Sequence, residues 1–212
     1  AEHNSRNRIF TAEVTFWAFL TQVLWDNGSC REGVKAVQGW LKLAINSSSI
    51  SSNTASYCSA RLRLSYFRLC TILKHVTSKA TDTIPEEKLW RKKHVKMVDG
   101  TNFRLQDTVK NQEDWPQPSE QKEGCGFPVV QLQGLICLAT GVLLDWAETP
   151  LTVSDSKAWK VLWKFLSPGD VILADRAYGS YAAFNLLGHQ GVDMVSRRHG
   201  ARKFNKNNAE RL

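Results

Sequence analysis

The chain has 212 residues, 42% of them hydrophobic and 23% charged, with 28 Lys+Arg against 20 Asp+Glu and a net charge of +8. That balance excludes intrinsic disorder, collagen and fibrous repeats, and the length accommodates one or two domains with a sizeable core. No apolar run approaches the ~18 residues of a membrane span, so no membrane partner is expected.

Thr11 predicts the cap of a first helix, in which Phe16, Phe19, Leu20, Val23 and Leu24 recur at helical spacing before Asp26-Asn27-Gly28 stops it. Ser29 and Glu32 form a capping box for a second helix, with Val34, Val37, Trp40 and Leu41 on one face. A Ser/Asn-rich loop covers 46–53, and a third helical stretch over about 55–76 carries Leu62, Tyr66, Leu69 and Leu73. These stripes are expected to form the core of a small all-α region, placed at residues 1–88.

From residue 89 the pattern changes. Residues 95–98, with β-branched Val95 and Val98, read as a short strand expected to end at Asp99-Gly100-Thr101. The polar stretch 103–127 reads as a long loop. Residues 129–138 form a strand, which Thr140-Gly141 turns into a second strand over 142–146. Ser154 or Asp155 opens an amphipathic helix with Trp159, Leu162, Phe165 and Leu166, and Ser167-Pro168-Gly169-Asp170 is a turn. The buried-strand run 171–174 ends in Asp175-Arg176, followed by a helix over 180–187 and a strand over 192–196. The expected fold class is α/β, with a mixed sheet over 89–212.

The most informative feature is the pair Val98-Asp99-Gly100-Thr101 and Leu173-Ala174-Asp175-Arg176. Each Asp follows a buried β run, and ligands of α/β sheets gather at such strand ends. Two readings stand: each Asp caps its turn, or neighbouring strands bring the carboxylates together around a cation. Like charges that close are unfavourable unless a cation joins them. Mg²⁺, or Mn²⁺ in its place, suits carboxylate and water oxygens and serves phosphodiester displacement.

The charge is uneven. Residues 176–212 carry a net +5, with Arg176, Arg197, Arg198, Arg202 and Lys203 among their basic residues, and Arg91-Lys92-Lys93 heads a second run. Either is a solvated face or a phosphate-contacting surface, and their position around the two aspartates favours nucleic acid.

The motifs together resemble bacterial insertion-sequence transposases of the DDE type, in the branch with a Tyr-Arg-Glu-Lys signature. The matching stretches are 95–101 around Asp99, Leu105-Gln-Asp-Thr108 with Asn111-Gln112, residues 121–128, Cys137 to Asp145, and Pro168 to Arg176. Upstream, 16–24 and 53–58 are similar to the family's helical amino-terminal region. The resemblance implies a ribonuclease H-like catalytic core after a helical DNA-binding region, acting on double-stranded DNA at terminal inverted repeats and target sites as a homodimer. By the same resemblance Asp99 and Asp175 match the first two acids of the metal-binding triad, and Arg176 is a phosphate contact. The third member, a Glu in Tyr-x-x-Arg-x-x-x-Glu, has no match. Glu210 is separated from Asp175 by 34 intervening residues and has the wrong surroundings, so the expectation is a core over 89–212 incomplete at its carboxyl end. The alternatives are a non-catalytic DNA-binding remnant and an unrelated metal-dependent nuclease.

Other residues carry blander expectations. His94, His189 and His199 lack paired ligand spacing, Gly124-Cys125-Gly126 reads as a plain loop, and Asp145 and Asp170 read as structural. Trp115 is the aromatic residue placed to stack on bases. Five cysteines without a Cys-x-x-Cys pair speak against a disulfide framework or zinc site. With Ala1 first and no leader-like segment after it, a cytoplasmic, nucleoid-associated protein, mature or clipped, is expected.

Overall fold

A computed structural model describes residues 8–26, 28–45, 51–122, 124–198 and 200. Two compact units divide between Leu73 and Lys74, earlier in the chain than the 88/89 boundary expected from the sequence.

The first unit holds α1 (Ala12–Leu24), α2 (Cys30–Ile45), α3 (Ala55–Arg61) and the start of α4 (Tyr66–Asp82). The Thr11 hydroxyl accepts from the Val14 amide and Ser29 Oγ from the Glu32 amide, so the Thr11 cap and the Ser29 half of the capping box form, while the Glu32 carboxylate accepts from Lys35. The buried face of α1 is not the predicted stripe. It consists of Thr15, Ala18 and Gln22, while Val23 and Leu24 are exposed. The cause is Tyr57, fully buried on α3 among Phe10, Ala18, Val34 and Val37. Its hydroxyl needs an acceptor away from water, and Gln22 Oε1 supplies one at 2.7 Å while Gln22 Nε2 donates to the Gly28 carbonyl at 2.7 Å. Burial pushes the Tyr57 pKa up to about 12 against the opposing pull of the Arg61 guanidinium.

The single helix predicted over 55–76 is two helices, α3 and α4. The amides of Arg63 and Leu64 donate three residues back, to Ala60 and Arg61, and these tight turns end α3. Ser65 Oγ then accepts from the Arg68 amide at the start of α4, and Leu62 and Tyr66 are exposed rather than core.

The second unit is a five-stranded sheet of order β3-β2-β1-β4-β5. Its strands are β1 (Val95–Arg104), β2 (Val129–Cys137), β3 (Leu143–Pro150), β4 (Val171–Ala174) and β5 (Asp193–Ser196). The first three form an antiparallel meander, and β4 and β5 run parallel to β1. Gly141, at φ +72°, turns the β2–β3 hairpin, a backbone position that favours glycine. With α5 (Val109–Asp114), α6 (Asp155–Ala158), the 3-10 helix Trp159–Phe165 and α7 (Tyr181–His189), this is the mixed α/β arrangement expected of a ribonuclease H-like core.

Register puts Val98, Leu135, Ala147 and Ile172 on one face of the sheet. Trp159 and Leu162 of the 3-10 helix and Ala183 and Leu187 of α7 cover that face. Near the start of β1 and β4, Lys96 Nζ donates to Asp170 at 2.6 Å and to the Phe165 carbonyl at 2.8 Å. Asp170, 4% exposed, also accepts from the Ser167 amide, so it is structural and fixes the turn before β4.

The long loop after β1 is ordered by its own side chains. Thr108 caps α5, Gln112 Nε2 donates to the Gly126 carbonyl, and Gln117 Oε1 accepts from the Gly126 amide. A Cβ at Gly126 would lie 2.2 Å from Gln121 Oε1, so the loop is packed by glutamine side chains there. All five cysteines are free, and among the described residues no helix is long and apolar enough to cross a membrane.

Candidate functional site

The first strand departs from the sequence reading where the candidate chemistry lies. It does not end at Asp99 but runs to Arg104, because β2 goes on pairing with it from Gly100↔Gln133 to Arg104↔Val129. What ends at Asp99 is its parallel partner. The β1–β4 register runs from Val95↔Val171 to Val98↔Ala174, and the next step of that register holds Asp99 and Asp175. Neighbouring strands lie ~4.8 Å apart, so the two carboxylates start from adjacent backbone positions where β4 ends.

Both residues are exposed. Asp99 Oδ1 accepts from the Gly100 amide at 2.8 Å, and among the described residues neither carboxylate takes part in an ion pair. The Asp175 backbone is held twice: its carbonyl accepts from the Tyr178 amide at 3.1 Å and from Ser196 Oγ at 3.1 Å. Alternation puts Asp99 on the face of β1 opposite Val98, away from the packed core.

Two solvent-open carboxylates without a basic partner are a donor set that fits a hard divalent cation, which keeps its remaining positions for water and phosphate. Among the described residues, no group of three or more His, Cys, Asp or Glu side chains is placed to hold a metal.

The candidate phosphate contacts fall into two places. Arg176 follows Asp175 directly, and Arg197 and Arg198 follow β5, whose last residue Ser196 pairs with Ala174; all three are exposed. Arg91, Lys92 and Lys93 lie before β1, with Lys93 ~20 Å of extended chain from Asp99. There Lys92 pairs with Glu86 at 2.9 Å, Lys93 pairs with Asp193, and Arg91 stacks on Trp90 at 5.3 Å. Arg202, Lys203, His199 and Glu210 lie outside the described residues. His94 and His189 are exposed, Asp145 accepts from the Trp146 amide, and Trp115, partly buried, closes α5.

Sequence reasoning missed the buried polar residues beneath the acid pair. Tyr178 is 3% exposed, its ring edge-on to Trp159 at 6.0 Å, and its hydroxyl would lie 2.9 Å from a Cβ at Gly100. Burial, then the charges of Asp155, Asp99 and Asp175, push its pKa well above the ordinary phenol value. Asp155 accepts from Gln131 Nε2 and, at 2.9 Å, from Gln133 Nε2. Gln133 is fully buried, and its Oε1 has no hydrogen-bond partner among the described residues. The available signal was Gln131-Leu132-Gln133, which puts two amides on the core face of a buried strand.

The family model described as Transposase DDE domain matches residues 90–211. The chain belongs to that family. The match begins at the basic turn before β1 and includes Asp99, Asp175 and the Arg-rich segment after β5. Among solved structures, the transposase DDE domain and its helical unit together are similar to a chain of a piggyBac transposase synaptic complex with hairpin DNA, studied by cryo-electron microscopy. Sequence identity is 12% and the TM-score 0.49, over 96% of this chain and 46% of that one. The chain thus spans about half the length of that transposase. No curated protein matches it in a sequence comparison.

Proposed function

We propose that this transposase DDE domain belongs to a bacterial insertion-sequence transposase of the Tyr-Arg-Glu-Lys branch, which binds element ends and cuts and joins DNA. The observation that carries the reading is the adjacency of Asp99 and Asp175, each one residue past the last β1–β4 pair, both exposed and, among the described residues, in no ion pair. Asp99 and Asp175 would hold Mg²⁺ or Mn²⁺, which when bound stabilises charge on the oxygens of a phosphodiester under attack. Arg176, Arg197 and Arg198 bind DNA phosphates beside the acids, and Arg202 and Lys203 supply further phosphate contacts. Arg91, Lys92 and Lys93 form a second contact further along the duplex. The helical unit reads the terminal inverted repeats, and the DNA-bound form is a homodimer in the bacterial nucleoid. A third carboxylate, from Glu210 or from a Glu further along the parent protein, completes the acid set.

A second reading is a DNA-binding remnant without catalysis. It is favoured by the lack of a third acid beside Asp99 and Asp175 among the described residues.

Incubation of the purified chain with labelled element-end duplex and Mg²⁺ tests both. Cleavage lost in Asp99→Asn and Asp175→Asn supports the transposase reading, and added loss in Glu210→Gln assigns the third acid. Salt-sensitive binding without cleavage supports the remnant. Cleavage that survives both Asp substitutions sinks the site assignment.

A further inference from the structure

Tyr178 is a buried polar residue that the reading above leaves without a role. It lies three residues after Asp175, and the turn between them is closed by the Tyr178 amide donating to the Asp175 carbonyl. From that turn the side chain points back into the core, where Trp159 meets its ring edge-on at 86° and Trp159 in turn packs against Trp163. The ring therefore has little freedom. Its far end reaches β1 at Gly100, the residue next to Asp99: a Cβ built there would lie 2.9 Å from the hydroxyl and 3.7 Å from Gln133 Cγ. Real Cβ atoms essentially never come that close to another heavy atom, so glycine at 100 is what lets the hydroxyl sit there.

One side chain thus spans the two strands that carry the acids. It starts beside Asp175 and ends against the backbone beside Asp99. Register alone does not hold the pair, because β4 stops at Ala174 and Asp175 lies outside the hydrogen-bonded ladder.

We propose that Tyr178 is a positioning residue that holds Asp175 level with Asp99, by bracing the turn after β4 against the bare backbone of Gly100. The role rests on the reading of Asp99 and Asp175 as a cation site, and it acts from the core side without touching the ion. Glycine in the Asp-Gly-Thr motif then has a specific cause, the room it leaves for the phenol. Groups that orient metal ligands from behind set affinity through geometry, and their loss weakens metal binding by about 10–100-fold.

The test uses the 212-residue chain with Mn²⁺ as the probe, followed by electron paramagnetic resonance at a temperature well below the melting point of each variant. Gly100→Ala forces the phenol away and is expected to weaken Mn²⁺ binding about tenfold. Tyr178→Phe loses the bracing oxygen and weakens it by a smaller factor. In the double variant the phenyl ring leaves space for the Ala methyl, so it is expected to bind Mn²⁺ more tightly than Gly100→Ala alone. A double variant as weak as, or weaker than, Gly100→Ala overturns the positioning role. If Gly100→Ala fails to fold, the double variant carries the test: folding with Mn²⁺ binding restored supports the brace, and failure to fold overturns it. Asp99→Asn and Asp175→Asn separate the two levels of the argument. If both leave Mn²⁺ binding unchanged, the cation reading fails and the positioning role with it. If both abolish binding while the Gly100 and Tyr178 effects merely add, only the positioning role fails.

Discussion

Asp99 and Asp175 stand one step past Val98 and Ala174, the last pair of the β1–β4 ladder, so two acids 76 positions apart in sequence start from neighbouring backbone positions. Without a cation their like charges repel. Either Asp→Asn variant is therefore expected to melt at the same temperature as the parent chain or slightly higher in EDTA. Mg²⁺ should raise the melting temperature of the parent and not of the variants, since a ligand stabilises only the fold that binds it. Calorimetry with and without Mg²⁺ reads both effects.

Lys96 and Asp170 form a partly buried ion pair, with side chains 15% and 6% exposed, and Asp170 also holds the Ser167 amide. Removing the cation leaves a buried carboxylate uncompensated. Lys96→Ala is expected to cost about 3–5 kcal/mol. Lys92→Ala, which breaks the exposed pair with Glu86, should cost about 0–1 kcal/mol. Urea midpoints of the two variants measure the contrast.

Tyr57 gives the helical unit an alkaline limit. Its pKa rises from 10.0 to about 12 on folding. A raised pKa means that the fold favours the protonated phenol, so this stabilisation is fully present below pH 10 and is lost as pH climbs from 10 through about 12. Tyr57→Phe should remove that part of the pH dependence. It should also cost about 0.5–1.5 kcal/mol at neutral pH, because the Tyr57 hydrogen bond is lost while Gln22 Oε1 still accepts from the Arg61 guanidinium at 3.3 Å. Phenolate absorbance and melting temperature across pH 8–12 check the sign.

Arg197 and Arg198 lie at the acid end of the sheet, whereas Lys92 and Lys93 are already ion-paired at the other end. Each phosphate contact contributes about 0.9 to the slope of log affinity against log salt. Replacing Arg197 and Arg198 by Ala should lower that slope by about 1.8, and replacing Lys92 and Lys93 should lower it less. Filter binding of an element-end duplex over a series of salt concentrations distinguishes the two patches.

The sheet was largely legible, because its strands are short apolar runs bounded by turn residues. Val171 to Ala174, between Pro168-Gly169-Asp170 and Asp175, is the clearest case. The end of β1 was not legible: Asp99-Gly100-Thr101 has turn composition, and only the partner strand β2 keeps it extended. In the helical unit, periodicity placed α1 correctly but chose the wrong face. One buried Tyr hydroxyl demanded a polar partner, and tertiary hydrogen bonding outweighed the apolar count. The acid pair could be read from two separate motifs, but the support beneath it could not. Tyr178 comes from the turn after β4, Gln133 from β2 and Asp155 from α6, and no local pattern links them.

The β2–β3 hairpin has a practical consequence. Because Lys96 pairs with Cys137, the turn at Thr140-Gly141 emerges beside the start of β1, at the opposite rim from Asp175 and the arginines after β5. An epitope or fluorescent peptide inserted there would ride at least ~10 Å of strand away from Asp99. That makes the hairpin a handle for immobilising the protein or following it on DNA, with the carboxylates left clear.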